Sequence, residues 1–304
     1  MLPKGNFPEK VYINGEIVSS EDAKISVFDR GFLFGDGIYE VMVQLENGLF
    51  YKKAHLDRLQ DNLNKIGIQY NVKEIDYNLE ILLKASSLTD EPCLIYMQVT
   101  RGVAPRKHAY PKGVPPSVMM YALPFSLPAI NPKNMKAILE PDVRWHRCDI
   151  KSISLLGNIM TNESAMNANT NEAALVRDGV ISEGSHTNIF FVKDSTVLTH
   201  PANEHILNGV TRKIVLKLCN DLDIQVIEKP IAENEIEQMD EAFFTGTTTQ
   251  VAAISELGPH TFYKNDDIGK VTRRLQEAFA QLREKNTANL TLIDKKPLTN
   301  DAEK

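Results

Sequence analysis

Two charged residues in uncommon settings are the strongest candidates for chemistry in this sequence. Lys151 follows the segment Arg144–Ile150, and Glu183 lies further along in the string Ser182-Glu183-Gly184. A lysine amine can form a Schiff base with an aldehyde, and a carboxylate can keep a ring nitrogen protonated. Chemistry on pyridoxal phosphate needs both groups, so the pair predicts an enzyme that acts on amino groups.

Each residue taken alone also fits an ordinary structural role. Most lysines are solvated, and a glutamate before a strand is commonly a turn carboxylate. Ile150 and Ile153 place apolar side chains beside Lys151, which favours a functional role for its amine. The two residues by themselves leave both interpretations open.

Three further segments carry groups that suit a phosphate. Arg58 has a planar guanidinium that can bind two oxygens, although it could instead pair with Asp57 or Asp61 on its own helix. The string 208–212 (Asn-Gly-Val-Thr-Arg) precedes a helix whose first N–H groups would point at an anion. The string 245–249 (Thr-Gly-Thr-Thr-Thr) follows an apolar strand and offers further donors. Either string could equally be a plain helix cap or a turn.

A basic loop offers a site for a substrate carboxylate. It includes Arg106, whose fork could bind both carboxylate oxygens, and His108, which could assist. The alternative is a solvated positive loop. Tyr39 is either a core aromatic or a hydroxyl presented to a ligand. Its neighbours Gly35-Asp36-Gly37 do not form Gly-x-Gly-x-x-Gly, so a dinucleotide fingerprint is not supported.

Composition limits the remaining possibilities. With 304 residues, 42% of them hydrophobic and 24% charged, the chain is expected to form two globular domains. A net charge of −6 argues against nucleic acid as the main partner. The sequence shows no apolar run of the ~18 residues that a membrane helix needs, and its first ten residues do not resemble a signal peptide. Three widely spaced cysteines fit a reducing cytoplasm, and no metal-binding motif is found.

Predicted elements place these residues in an α+β fold with mixed sheets, because strands and helices alternate without regular βαβ spacing. A helix is predicted over His55–Ile66, and hairpins around Asn14-Gly15 and Asn47-Gly48. The proline-rich stretch 124–134 is predicted to link two domains. These are an N-terminal α/β domain (1–123) and a C-terminal cofactor-binding domain (135–285), and the polar tail 286–304 is expected to be flexible.

Several strings together resemble the fold type IV pyridoxal-phosphate-dependent transaminases, and within that family the D-amino acid branch. The resemblance runs from about Val11 to Phe279 and is carried by Asp29-Arg30-Gly31, Phe34–Gly37, Val99–Gly102, Arg147–Ser152 and Thr199–Asn203. It implies a two-domain enzyme with pyridoxal phosphate in the cleft between the domains. The implied reaction is the reversible transfer of an amino group from a D-amino acid to a 2-oxo acid.

The resemblance also implies a role for each candidate residue. Lys151 matches the Schiff-base lysine that shuttles protons, and Glu183 matches the partner of the pyridine nitrogen. The matched cofactor-binding residues also include one packed under the ring, Leu207, and those that hold the phosphate: Arg58, Val210, Thr211, Gly246 and Thr247.

Tyr39, Arg106 and His108 match the family's carboxylate trap, in which the arginine and histidine come from the neighbouring subunit. A homodimer with shared active sites is therefore implied. Two positions depart from the family pattern, because His186 and Gly246 stand where serines are common.

Four alternatives are compatible with much of the same sequence. An L-branched-chain aminotransferase shares the core but has a different carboxylate site, and the Pro105–His108 string argues against it. An (R)-amine transaminase needs no carboxylate trap. An aminodeoxychorismate lyase releases pyruvate without an amino acceptor, and a non-catalytic protein would bind the cofactor without reacting with amino acids.

Overall fold

The computed structural model describes residues 5–130, 135–265 and 267–292. The chain divides into two compact units. Unit 1 has the limits Met1–Ala129, Trp145–Gly157 and Gln281–Leu290, and unit 2 has the limits Ile130–Arg144, Asn158–Ala280 and Thr291–Lys304. The segment that carries Lys151 thus groups with the first unit, although Glu183 belongs to the second. The contiguous domain limits drawn from the sequence stay a prediction, and the tail beyond residue 292 lies outside the described residues.

Unit 1 contains an antiparallel sheet with helices packed on it. Its strands are β1 (Lys10–Ile13), β2 (Glu16–Ser19), β3 (Gly37–Leu45), β4 (Gly48–Leu49), β5 (Cys93–Thr100) and β6 (Ser117–Pro124). Its helices are α1 (Arg30–Phe34), α2 (Lys52–Lys65) and α3 (Val72–Ala85). The strand order in the sheet is β2-β1-β6-β5-β3-β4.

The two predicted hairpins of unit 1 differ in outcome. Asn14 and Gly15 have φ values of 49° and 101°, the positive φ at both positions that a type I′ turn requires, so this prediction is confirmed. In the second hairpin Leu45 pairs with Gly48, so Glu46 and Asn47 form the turn. The second hairpin therefore forms as predicted, but its turn begins one residue before Asn47-Gly48.

The core of unit 1 lies between its sheet and the apolar faces of α2 and α3. On α2 the buried residues Leu56, Leu59 and Leu63 recur at helical spacing. Helix α2 extends three residues before the predicted start at His55, and Asn71 caps α3, a helix with no counterpart among the predicted elements. Each fully buried leucine contributes about 1.5–3 kcal/mol, so this face fixes α2 against β3, the strand that carries Tyr39.

Unit 2 contains a larger mixed sheet. Its strands are β7 (Met135–Pro141), β8 (Glu172–Arg177), β9 (Val180–Gly184), β10 (Asn188–Lys193), β11 (Thr196–Thr199), β12 (Val226–Glu228), β13 (Ile231–Ala232), β14 (Glu241–Gly246), β15 (Gln250–Leu257) and β16 (His260–Thr261). The strand order is β12-β11-β10-β14-β15-β7-β8-β9-β13, with β16 beside β15. Helices α4 (Leu156–Asn167), α5 (Val210–Asp221) and α6 (Lys270–Arg283) and a short 3-10 helix (Glu233–Gln238) complete the described elements. Mixed sheets with helices confirm the predicted α+β class.

The centre of this sheet positions the residues that matter for the site. Phe190 on β10 and Phe243 on β14 are cross-strand partners, fully buried, and their rings stack with centroids 4.9 Å apart. The same register places Asn188, the first residue of β10, opposite Thr245. The strand end near Glu183 and the turn after Thr245 are therefore set by a rigid apolar pairing.

The described helices include none that is both long and apolar enough to cross a bilayer. Cys93, Cys148 and Cys219 are free thiols and all are buried. Burial raises the pKa of Cys93 to about 11 and that of Cys219 to about 12, so these two thiols are unreactive.

Candidate active site

Lys151 is held at its backbone from two sides in unit 1. Its N–H donates to Asn62 Oδ1 at 2.7 Å, and its carbonyl accepts from the Tyr39 N–H at 3.1 Å. A bridge between Ile38 and Ser152 continues this pairing along β3. The Lys151 Nζ lies 4.1 Å from the centroid of the Tyr39 ring. The side chain is half-buried, and among the described residues no carboxylate lies within ion-pair distance of it, so its amine is available for chemistry.

Arg58 is fixed by a buried glutamate from the neighbouring strand. Its Nε and Nη2 donate to Glu40 Oε1 and Oε2 at 2.6 and 3.0 Å, a bidentate pair. His55, one turn earlier on α2, places Nδ1 2.8 Å from Glu40 Oε2. The possible pairing of Arg58 with Asp57 or Asp61 is thus wrong, because Glu40 takes the guanidinium instead.

Charge and protonation in this cluster follow from burial. Burial raises the pKa of Glu40, but the Arg58 guanidinium and the His55 hydrogen bond together lower it to about 2. Burial also lowers the pKa of His55, against the effect of Glu40, so the ring is neutral at pH 7. An ionised carboxylate can only accept, so the proton of the neutral ring sits on Nδ1.

The cluster leaves one end of Arg58 available to a ligand. Two of its nitrogens are committed to Glu40, while Nη1 has no acceptor among the described residues. Asn62 on the same helix donates from Nδ2 to the Arg58 carbonyl at 2.7 Å while accepting from Lys151. Arg58 and Lys151 are therefore positioned by the same turn of α2.

Glu183 is buried in unit 2 and has three hydrogen-bond donors around it. Arg144 Nη1 lies 2.6 Å from Oε1, and Asn188 Nδ2 and the Leu207 N–H lie 2.9 and 3.0 Å from Oε2. Burial raises the pKa of Glu183 to about 7, even though Arg144 opposes the rise. A second positive charge beside Oε1 or Oε2, such as a protonated ring nitrogen, would favour the ionised form.

Arg144 is a positioning residue that sequence reasoning did not identify. Asp142, which is fully buried, accepts from Arg144 Nε and Nη2, each at 2.9 Å. Arg177 also pairs with Asp142, at 2.9 Å. Burial raises the pKa of Asp142, but the hydrogen bonds and charges of the two arginines outweigh it, so the pKa is lowered from its usual value. The Asp142-x-Arg144 spacing was present in the sequence, but its connection to Glu183 depends on the pairing of strands.

Asn188 connects Glu183 with the start of α5. Its Nδ2 also donates to the Leu207 carbonyl at 2.8 Å. A Cβ on Gly209 would lie 2.3 Å from Asn188 Oδ1, so a glycine is needed there. Because Gly209 is the N-cap and provides no side-chain hydrogen bond, the first N–H groups of α5, at Val210 and Thr211, lack a side-chain cap.

The turn at residues 247–249, between β14 and β15, provides a second group of donors. Thr245 Oγ1 at its base is buried and has no hydrogen-bond partner among the described residues. A Cβ on Gly246 would lie 3.2 Å from Thr249 Oγ1, so the glycine that replaces the more common serine relieves a tight contact. An uncapped helix start, an unpaired buried hydroxyl and a buried carboxylate fit a group that has both a phosphate and a ring nitrogen.

His186, the other departure from the family pattern, joins a buried network. Its Nδ1 lies 3.0 Å from Ser185 Oγ and 3.0 Å from Glu172 Oε2. The Glu172 carboxylate is fully buried and also accepts from the Ala173 N–H and Thr187 Oγ1. His186 is thus one of the partners of the buried Glu172 carboxylate, although its own side chain is largely exposed.

Arg106 and His108 lie on an exposed loop of unit 1 and contact the same aromatic ring. The Arg106 guanidinium carbon is 5.0 Å from the centroid of Phe34, and the His108 ring is 5.6 Å from it. Neither side chain has a carboxylate partner within ion-pair distance among the described residues. The structure therefore brings Tyr39, Arg58 and Lys151 together in unit 1, and Glu183, Leu207, Val210, Thr211, Gly246 and Thr247 together in unit 2.

Comparison with known proteins identifies a family and a set of relatives. Residues 37–257 match the model of the amino-transferase class IV family. The D-alanine aminotransferase of Staphylococcus epidermidis is 36% identical over 274 residues, which cover 89% of this chain and 96% of that protein. The D-alanine aminotransferase of Bacillus licheniformis is 37% identical, with 88% and 95% covered.

Solved structures show the same fold. The branched-chain aminotransferase of Thermoproteus uzoniensis superposes with a TM-score of 0.81 at 26% identity, covering 91% of this chain and 96% of that chain. The branched-chain aminotransferase of Escherichia coli gives a TM-score of 0.82 at 23% identity, with 93% and 97% covered.

Proposed function

Because the chain belongs to the class IV aminotransferase family, we propose that it transfers the amino group of a D-amino acid, such as D-alanine, to a 2-oxo acid, such as 2-oxoglutarate or pyruvate. The observation that carries the substrate assignment is the 36–37% identity with D-alanine aminotransferases over nearly their whole length. Eight matched structures of branched-chain aminotransferases are 20–26% identical to this chain. An amino acid and a 2-oxo acid are the substrates in either case.

The enzyme depends on pyridoxal phosphate, which supplies an aldehyde carbon and an electron-withdrawing ring when it is bound. We assign the Lys151 amine to the aldehyde and the Glu183 carboxylate to the ring nitrogen. Arg58 Nη1, the first turn of α5 at Val210 and Thr211, and the Gly246-Thr247 turn would hold the phosphate. Leu207, whose N–H and carbonyl are both hydrogen-bonded, would pack under the ring.

The chain's own residues account for the proton transfers. A free Lys151 Nζ would take a proton from the α carbon of the amino acid and return it to the carbon that the aldehyde supplies, since one amine can serve both steps on one face. The Tyr39 ring below Nζ limits where the amine can swing. Tyr39, Arg106 and His108 bind the substrate carboxylate, and this fixes which face of the α carbon meets Lys151.

Substrate handedness can be tested in single half-reactions. We expect the half-reaction, followed by the visible absorbance of the bound cofactor, to be at least about 100-fold more efficient with D-alanine than with L-leucine. The reason is that only one enantiomer directs the proton of its α carbon toward Lys151. The measurement is the rate of the absorbance change against the concentration of each amino acid.

A response to L-leucine alone would identify a branched-chain enzyme, and a response to (R)-1-phenylethylamine alone would identify an (R)-amine transaminase. Pyruvate release from aminodeoxychorismate without an amino acceptor would identify a lyase, and absence of any response a non-catalytic binding protein.

We also propose that the protein is a homodimer in which the neighbouring subunit provides Arg106 and His108. An exposed apolar surface beside their loop supports this. We call it the α1 surface, and it comprises Val27, Phe28, Phe32 and Val103. Its parts are continuous, because Asp29 and Val103 form a bridge and Ala104 donates to the Phe28 carbonyl. Contiguous exposed apolar surface commonly marks an interface with another protein.

Charge placed on the α1 surface should dissociate the dimer. Phe32→Glu puts a carboxylate on a side chain that is 74% exposed, so the fold should tolerate the change while a buried interface would not. Sedimentation velocity should show a dimer for the parent and a monomer for the variant, with loss of transamination. Tyr77→Glu, on an exposed aromatic of α3, is the matched control and should stay dimeric. A parent that is active and monomeric at micromolar concentration would contradict the proposal.

A further inference from the structure

The loop that carries Arg106 and His108 is anchored from inside unit 1 by a buried arginine. Arg30 Nη1 and Nη2 donate to the carbonyl oxygens of Lys107 and His108 at 2.6 and 3.4 Å. Arg30 is buried, whereas residues 105–110 are exposed. The backbone on either side of the carboxylate-binding side chains is therefore fixed by a group that solvent does not reach.

A carboxylate in turn fixes Arg30. Asp36 Oδ2 accepts from Arg30 Nε at 2.7 Å and from Arg101 Nε at 2.9 Å. Arg101 also donates to the Ile66 carbonyl at 2.7 Å, and its guanidinium lies 3.5 Å from the centroid of Tyr110. Because Arg101 begins the loop and its guanidinium contacts Tyr110, the Arg30–Asp36–Arg101 cluster holds the part of the loop that carries Arg106 and His108.

The side chains are arranged on an aromatic ring at the end of α1. Arg30, Arg106 and His108 all approach Phe34, with distances to its centroid of 4.8, 5.0 and 5.6 Å. An exposed arginine otherwise samples many rotamers, and ordering it costs roughly 2 kcal/mol. Contact with a ring face restricts that freedom before any ligand arrives.

We propose that Phe34 and the Arg30–Asp36 pair hold Arg106 and His108 in the geometry that binds the substrate carboxylate. Phe34, Arg30 and Asp36 are then positioning residues that raise the affinity for the substrate. Asp36 shares its single negative charge between Arg30 and Arg101, while Arg106 has no carboxylate partner among the described residues and remains available to an anion. The inference rests on the proposed function, since it assumes that Arg106 binds the carboxylate of the amino acid.

The test is a double-mutant cycle between Phe34 and Arg106 in the cofactor-loaded protein. The apparent Kd for D-alanine and the limiting rate are both taken from the concentration dependence of the half-reaction. Arg106→Ala should raise the Kd about 10- to 100-fold, the size of a charged hydrogen bond. Phe34→Leu should raise it about five- to tenfold, with the limiting rate changed by less than about twofold.

The decisive result is the double variant. If Phe34 acts through Arg106, the double variant should bind D-alanine as weakly as Arg106→Ala alone, within about twofold. Asp36→Asn should resemble Phe34→Leu, and Tyr77→Leu, an exposed aromatic elsewhere in unit 1, should match the parent. Additive effects, an unchanged Kd in Phe34→Leu, or a limiting rate that falls as much as the affinity would each overturn the inference while leaving the proposed function intact.

Failure of the proposed function has a different signature. An Arg106→Ala variant with parental affinity would remove the carboxylate role itself, and the positioning role with it. A parent that gives no half-reaction with D-alanine would refute the substrate assignment and likewise overturn the inference.

Discussion

Lys151→Ala should lower the rate of transamination by about 10⁴-fold or more, because both the covalent bond to the cofactor and the proton transfers depend on one amine. The fold should survive the change. Both backbone hydrogen bonds of Lys151 go to Asn62 and Tyr39, and alanine retains them. Loss of activity would then result from removal of the Lys151 amine and not from a displacement of the backbone at residue 151.

Three measurements separate this role from a structural one. Borohydride reduction followed by peptide mass spectrometry should find the cofactor attached to the Lys151 peptide in the parent and absent from it in the variant. Lys151→Arg keeps the charge but should be as inactive as alanine. Lys84→Ala, an exposed lysine on α3, should retain the parental rate and the parental attachment. Attachment at another lysine, or a Lys151→Ala variant within about tenfold of the parent, would exclude the assigned role.

Candidate residues for chemistry leave a clearer signal in the sequence than the residues that hold them in place. Lys151 and Glu183 stand in distinctive strings whose residue types match a known chemistry. Arg58 is a candidate from its residue type, but its partner could not be predicted, because Glu40 lies on a different element and becomes a neighbour only when α2 packs on β3. Sequence spacing offered Asp57 and Asp61, which are adjacent along the chain and do not take the guanidinium.

The same reason explains Asn188 and Arg144. Asn188 reaches Glu183, Leu207 and Gly209 because it begins β10 opposite Thr245, a register that periodicity does not reveal. Arg144 meets Glu183 after the chain has passed through α4 and β8. The apolar pattern of α2 predicted most of that helix, since burial on one face leaves a local signal. Polar contacts between distant segments leave none.

Glu183→Gln should lower the rate of the loaded enzyme by about 10²- to 10³-fold, the usual scale for removing one electrostatic partner from a reacting group. Glutamine keeps the shape but has a single acceptor oxygen, so its N–H2 group must face either Arg144 or the Asn188 and Leu207 donors, and the change removes the charge together with the hydrogen bonds on that side. The assay is the limiting rate of the half-reaction with D-alanine. Glu277→Gln, an exposed glutamate on α6, should leave that rate unchanged. A Glu183→Gln enzyme within about threefold of the parent would contradict the assignment to the ring nitrogen.

The cofactor-free protein should show the opposite effect, which makes the prediction specific. Burial raises the pKa of Glu183 from 4.5 to about 7, so ionising this group opposes folding. The stability it contributes is fully present below pH 4.5 and is lost as the pH rises through 7. Urea unfolding should therefore show that Glu183→Gln gains stability relative to the parent between pH 5 and pH 8, by up to about 3 kcal/mol. A stability difference that stays constant over this range would mean that Glu183 is already ionised at pH 5, held so by Arg144 and Asn188.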